Sequence, residues 1–136
     1  GTRIVADAMM DDCLHRCFDA IALPGGMPGA EQLAAHEGLM TLARAQRDAN
    51  RILAAICAAP AVTLSPHGLI RGARATCYPS FADRMVDGQW QDKPVVKDGT
   101  LVTSQGPATA IAFSLTLVTL LTDQPTAETI ARQLLV

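Results

Sequence analysis

No run of basic residues and no interleaving of basic with aromatic side chains occurs in the 136 residues, and aromatics make up 4% of them. That argues against nucleic acid as a partner, because such a surface needs clustered cations and stacking rings. Lys and Arg number 11 against 13 Asp and Glu, a formal net charge of −2. No apolar stretch reaches the roughly 20 residues of a membrane span. The opening segment GTRIVADAMMDD lacks the basic-then-apolar order of a signal peptide. The four cysteines, Cys13, Cys17, Cys57 and Cys77, fall at no zinc-ribbon spacing. Cys13 and Cys17 flank His15 with no second ligand pair after them, which reads as an exposed loop and not as a metal site. With an ample core and no secretion signal, disulfides are not required and a reducing cytoplasm is the expected location.

What is present is apolar: 49% of residues are hydrophobic and 18% charged, enough for one core and one domain over 1–136. Short apolar strands alternate with helices. RIVA (3–6) reads as a strand, and DAIALPGG (19–26) as a buried strand stopped by Pro24-Gly25-Gly26. GAEQLAAH (29–36) and EGLMTLARAQRDAN (37–50) read as helices, the second with Leu39, Leu42, Ala43 and Ala45 inward and Asn50 as its stop. A strand over 52–56 and a helix over 58–64 follow. GARATCYP (72–79) reads as a strand and SFADRMV (80–86) as a helix capped by Ser80. PVVKDGTLVTSQG (94–106) reads as a hairpin turning at Asp98-Gly99. Residues 108–122 form an apolar helix with Ile111, Leu115 and Val118 inward and Phe113 off that face, and Thr126 caps a last helix over 127–135. This alternation predicts an α/β fold with a mostly parallel sheet, whose functional groups gather at the carboxyl ends of its strands.

Two strands end in unusual ways, one in Pro24-Gly25-Gly26 and the other in Cys57. A residue between a buried strand and its returning helix often occupies a tight turn that lifts the side chain out of the sheet. The small neighbours Ala55, Ala58 and Ala59 permit that close passage. A cysteine there lies beside unpaired helix N–H groups, which stabilise a thiolate or an oxyanion. Gly25 and Gly26, lacking Cβ, let further backbone N–H groups approach. The residues alone leave a second reading open, in which Cys57 is a small buried hydrophobe and the glycines form a plain tight loop.

Three segments together, LPGGMPGAEQL (23–33), AAICAAPAV (54–62) and LVTSQGPATAIAFSLTLVTLL (101–121), resemble the ThiJ/PfpI superfamily in order and spacing. The likeness spans essentially the whole chain and is nearest the YajL-like branch, in the group that includes the Parkinsonism-associated deglycase and chaperone. It implies a flavodoxin-like three-layer sandwich of the class I glutamine amidotransferase type, and a homodimer. It further implies that Cys57 is a reactive, oxidation-sensitive cysteine beside an oxyanion pocket made by the backbone of Gly25, Gly26 and Ala58.

The family pattern also has a glutamate on a first strand that hydrogen-bonds the thiol. No Asp or Glu here matches it, so a leading β-α-β segment of roughly 30 residues or more is expected outside this sequence, leaving a strand edge unpaired and the chain alone weakly active or inactive. Tyr78 stands where some relatives have histidine, and Ala58 follows Cys57 where a protease-like branch has histidine; both argue against peptidase activity. The implied activity is deglycase or glyoxalase chemistry on glyoxal, methylglyoxal or glycated protein or nucleotide, without metal or organic cofactor. The alternative is a redox-sensing stress chaperone that uses oxidation of Cys57 without turnover. His67 reads as a helix-end residue, and His15 and His36 as surface. Cys77 reads as core, with a disulfide to an oxidised Cys57 left open. Trp90 and Phe81 are expected to cover the pocket or a dimer face.

Overall fold

The computed structural model describes residues 2–136. Its regular elements begin with α1 (Met10–Cys13), β1 (Ala20–Leu23), α2 (Gly29–Ala35), α3 (Glu37–Asp48) and β2 (Ile52–Ile56). A π-helical turn over Pro60–Leu64 runs straight into a 3-10 turn over Ser65–His67. Then come β3 (Arg74–Ala75), a 3-10 stretch over Pro79–Arg84, β4 (Gln89–Trp90), β5 (Val95–Asp98), β6 (Leu101–Ser104), α4 (Ala110–Leu121) and α5 (Gln124–Leu134).

The main sheet has the order β1-β2-β6-β5, and β3 pairs separately with β4. β1, β2 and β6 run parallel, while β5 returns antiparallel on β6. This is the flavodoxin-like layering expected from the alternation of elements. One face of the sheet presents Leu23, Leu53, Ala55 and Leu101 to Leu39, Met40 and Ala43 of α3 and to Ala61 and Leu64. The other presents Ala54 and Val102 to Phe113 of α4, with Leu117 and Leu120 beside it. The period-2 alternation along β2, Leu53 and Ala55 one way and Ala54 the other, follows from strand geometry. Register then sets the site, because Leu23 sits opposite Ala55 and Ile56 opposite Ser104. The carboxyl ends of β1, β2 and β6 therefore finish side by side.

Several local expectations need correction. RIVA forms no strand: Ile4 and Val5 are almost wholly exposed and, among the described residues, no strand pairs with them. In GARATCYP only Arg74–Ala75 is strand. Ser80 lies inside its 3-10 stretch, whose cap position is Tyr78. Asp123, not Thr126, caps α5, its carboxylate accepting the Thr126 N–H at 2.8 Å. The hairpin turns at Gly99-Thr100, since Asp98 already pairs with Leu101; Gly99 adopts φ 61° there, a conformation glycine takes without steric cost. Along α3, Ala45 is exposed while Met40 and Gln46 are buried, the Gln46 amide donating to the carbonyls of Phe18 and Ile52 at 2.9 and 3.1 Å. On α4 the inward residue is Phe113, whereas Ile111 is exposed. Ile111, Leu115 and Val118 instead line a groove against Ile130 and Leu134 of α5.

Candidate functional site

Cys57 follows directly on the last residue of β2 and has φ 63°. For a residue with a Cβ this left-handed conformation costs about 1–2 kcal/mol, so the surroundings must impose it. They do so from three sides. The Cys57 N–H donates to the Ser104 carbonyl at the end of β6 at 2.9 Å, and the Tyr78 N–H donates to the Cys57 carbonyl at 2.8 Å. On the third side Gly25 lies so near that a Cβ there would stand 2.6 Å from the Cys57 Cβ, 2.7 Å from the Ile56 oxygen and 2.9 Å from the Ala58 nitrogen. The close approach of the two loops accounts for the glycine.

The structure thus brings Gly25, Cys57 and Ala58 into one cluster, as the sequence suggested. Gly26 is the next residue of that loop; its φ is 90°, its Cβ position faces open space, and its carbonyl accepts the Ala30 N–H at 2.8 Å. Among the described residues, the N–H groups of Gly26 and Ala58 have no hydrogen-bond acceptor. Ala58 directly follows the half-buried Cys57, and Gly26 directly follows the Gly25 whose Cβ position lies 2.6 Å from the Cys57 Cβ. Behind them Ala30, Ala58 and Val62 form a tight knot on which Phe81 packs, and the Thr63 hydroxyl ties that helical turn to the Ala30 carbonyl of α2 at 2.8 Å.

Tyr78 borders the same edge. Its ring lies against Gly106, where a Cβ would be 3.3 Å from it, and meets Phe81 edge-on with centroids 6.4 Å apart. Phe81 therefore does reach the site's surroundings, while Trp90 pairs through β4 with Ala75 on the small second sheet. His67 is bound to the Ala34 carbonyl at 2.9 Å, and the His36 ring accepts the Leu39 N–H at the start of α3. Both histidines are engaged in structural roles. A groove of about 350 Å³ opens beside Gly25, lined also by Pro24, Gly29, Gln32, Leu33 and His36; Cys57 is not part of its lining.

Cys77 is core, as its sequence setting predicts. Its side chain is wholly buried, and its Sγ donates to the Tyr78 carbonyl at 3.4 Å. Burial, reinforced by the Cys57 charge, pushes its thiol up to about 11. The TCYP segment gave a local sign of a cysteine before a loop, but its proximity to Cys57 depends on a contact far along the chain.

Comparison with known proteins shows the family. Residues 1–120 match the DJ-1/PfpI family, and the chain belongs to that family. It is 39% identical over 116 residues to protein DJ-1 homolog B of Arabidopsis thaliana, covering 85% of this chain and 26% of the plant protein. It is 38% identical over 120 residues to the glutathione-independent glyoxalase DJR-1.2 of Caenorhabditis elegans, covering 87% and 63%. Among solved structures, oxidized Toxoplasma gondii DJ-1 superposes with a TM-score of 0.93 at 38% identity, covering 97% of this chain and 72% of that one. The chain spans about a quarter of the length of the plant relative and under two thirds of the nematode one.

Proposed function

We propose that this chain carries the nucleophilic site of a cofactor-independent enzyme acting on reactive carbonyls: glyoxal, methylglyoxal, or the adducts they form on protein or nucleotide. The observation that supports the reading best is the pinned left-handed turn at Cys57 with free N–H groups at Gly26 and Ala58. The Cys57 thiolate adds to the aldehyde carbon, a C–S bond forms, and the carbonyl π pair moves onto oxygen. The resulting hemithioacetal oxyanion rests on the Gly26 and Ala58 N–H groups, preorganised donors that need no rearrangement as charge develops. A proton must then leave the substrate carbon or pass to departing water, a task for a general base. A nematode relative named as a glyoxalase supports this substrate class.

The working form proposed is a cytoplasmic homodimer. The exposed apolar groove between α4 and α5 supports a surface that is covered in the assembly. No described helix is long and apolar enough to cross a membrane.

The test is methylglyoxal consumption by the full-length gene product. Cys57→Ser is expected to lower the rate by about 100-fold or more, since a hydroxyl is a far weaker nucleophile at neutral pH. An unchanged rate would overturn the reading. A second reading, oxidation of Cys57 to sulfinic acid as a stress signal for a chaperone, is favoured by the oxidized state of the Toxoplasma relative. It loses its basis if peroxide adds no oxygen to Cys57.

A further inference from the structure

The peptide joining Cys77 to Tyr78 lies directly against the backbone of Cys57, because the Tyr78 N–H donates to the Cys57 carbonyl at 2.8 Å. Standard peptide dimensions then hold the two cysteine α-carbons no more than about 7 Å apart. A disulfide spans α-carbons about 4.4–6.8 Å apart, so backbone spacing permits a bond between them. Their thiols also sense each other, since the Cys57 charge opposes ionisation of Cys77. The two differ sharply in access: Cys57 is half-buried, whereas Cys77 has no exposed surface. Peroxide therefore meets Cys57 and is kept from Cys77. The sulfur of Cys77 has one weak hydrogen bond to hold it, at 3.4 Å.

We propose that Cys77 is the resolving cysteine of this site, closing an intramolecular disulfide onto Cys57 once Cys57 has been oxidised by a peroxide. In the first step the Cys57 thiolate attacks one peroxide oxygen; an S–O bond forms, the O–O bond breaks, and the other oxygen leaves as water after taking up a proton. Cys57 is then a sulfenic acid, oxidised by two electrons. In the second step the Cys77 sulfur attacks the Cys57 sulfur; the S–S bond forms, the S–O bond breaks, and water departs with the Cys77 proton. The sum is two thiols and one hydrogen peroxide giving one disulfide and two waters. This extends the proposed function, resting on Cys57 as the reactive thiol, and supplies a reversible off-state that spares it from irreversible oxidation.

The experiment uses protein carrying Cys13→Ser and Cys17→Ser, treated stepwise with one and then about three equivalents of hydrogen peroxide and read by intact mass and a non-reducing peptide map. The expected result is a loss of about 2 Da, a linked Cys57–Cys77 peptide pair, and return of methylglyoxal consumption with dithiothreitol. Adding Cys77→Ala should convert that loss into a gain of about 16 and then 32 Da confined to Cys57. The map with Cys77 intact needs no core variant, so misfolding of Cys77→Ala cannot hide the answer. A gain of about 32 Da on Cys57 with Cys77 present and unlinked overturns the resolving role and leaves the nucleophile reading standing. No reaction with peroxide overturns it as well, and if methylglyoxal consumption is also unaffected by Cys57→Ser, the nucleophile reading falls too.

Discussion

Gly25→Ala is expected to cost about 3 kcal/mol of stability and to lower the rate of methylglyoxal consumption at least tenfold. The new Cβ would fall 2.6 Å from the Cys57 Cβ, 2.7 Å from the Ile56 oxygen and 2.9 Å from the Ala58 nitrogen. Two of these three contacts are to backbone, and the third is the first atom of a side chain, so no rotamer change relieves the overlap. Either the Pro24–Gly26 loop retreats or the Cys57 turn shifts. Both move the thiol relative to the free N–H groups, and a displacement of about 1 Å in such a site is enough for a 100-fold loss. Gly26→Ala separates clash from strain. Its Cβ meets nothing within 4 Å, but its φ of 90° charges an L-residue about 1–2 kcal/mol. Denaturant melts and methylglyoxal rates on both variants check this; equal rate losses would mean that contact with Cys57 is not what Gly25 supplies.

Leu53→Ala is expected to remove about 4 kcal/mol and to lower Tm by roughly 10–20 °C. Leu53 has no exposed surface and sits on β2 between β1 and β6. It faces the larger core beside Leu23, Leu39 and Leu101. Truncation leaves a cavity that the flanking strands cannot collapse into, since both are held in register by their ladders. A small domain has only about 5–15 kcal/mol in total, so the variant should unfold in markedly less urea. A change under about 1 kcal/mol would contradict the placement of Leu53 at the centre of the core.

Some of this was legible in the sequence because it is local. The buried run 52–56 followed by small residues identified the strand and the turn at Cys57, and Asn50 ended α3 as expected, with φ 53° just past the helix. The inward face of α4 was not legible. AIAFSLTLVTLL is apolar nearly all round, so no polar stripe distinguishes Phe113 from Ile111, and only the sheet beneath decides between them. The helix after Cys57 begins as a π turn, which the apolar pattern does not separate from an α-helix. What escaped most completely are two of the restraints on Cys57. Ser104 and Tyr78 come from different parts of the chain, and their meeting at Cys57 depends on strand register. The same applies to Cys77, whose buried position reads as core until Tyr78 is seen bonded to Cys57.

The most direct measurement is a short iodoacetamide pulse on native protein, with peptide mapping of the four cysteines. Cys17 is exposed and Cys57 is half-buried, so access alone would favour Cys17. If the pinned turn and its free N–H groups make Cys57 the reactive thiol, Cys57 should be labelled at least about tenfold faster than Cys17. That lead should vanish in denaturant, where the turn is lost. Faster labelling of Cys17 in the native protein, or a Cys57 lead that persists after unfolding, would contradict the assignment of reactivity to the Cys57 turn.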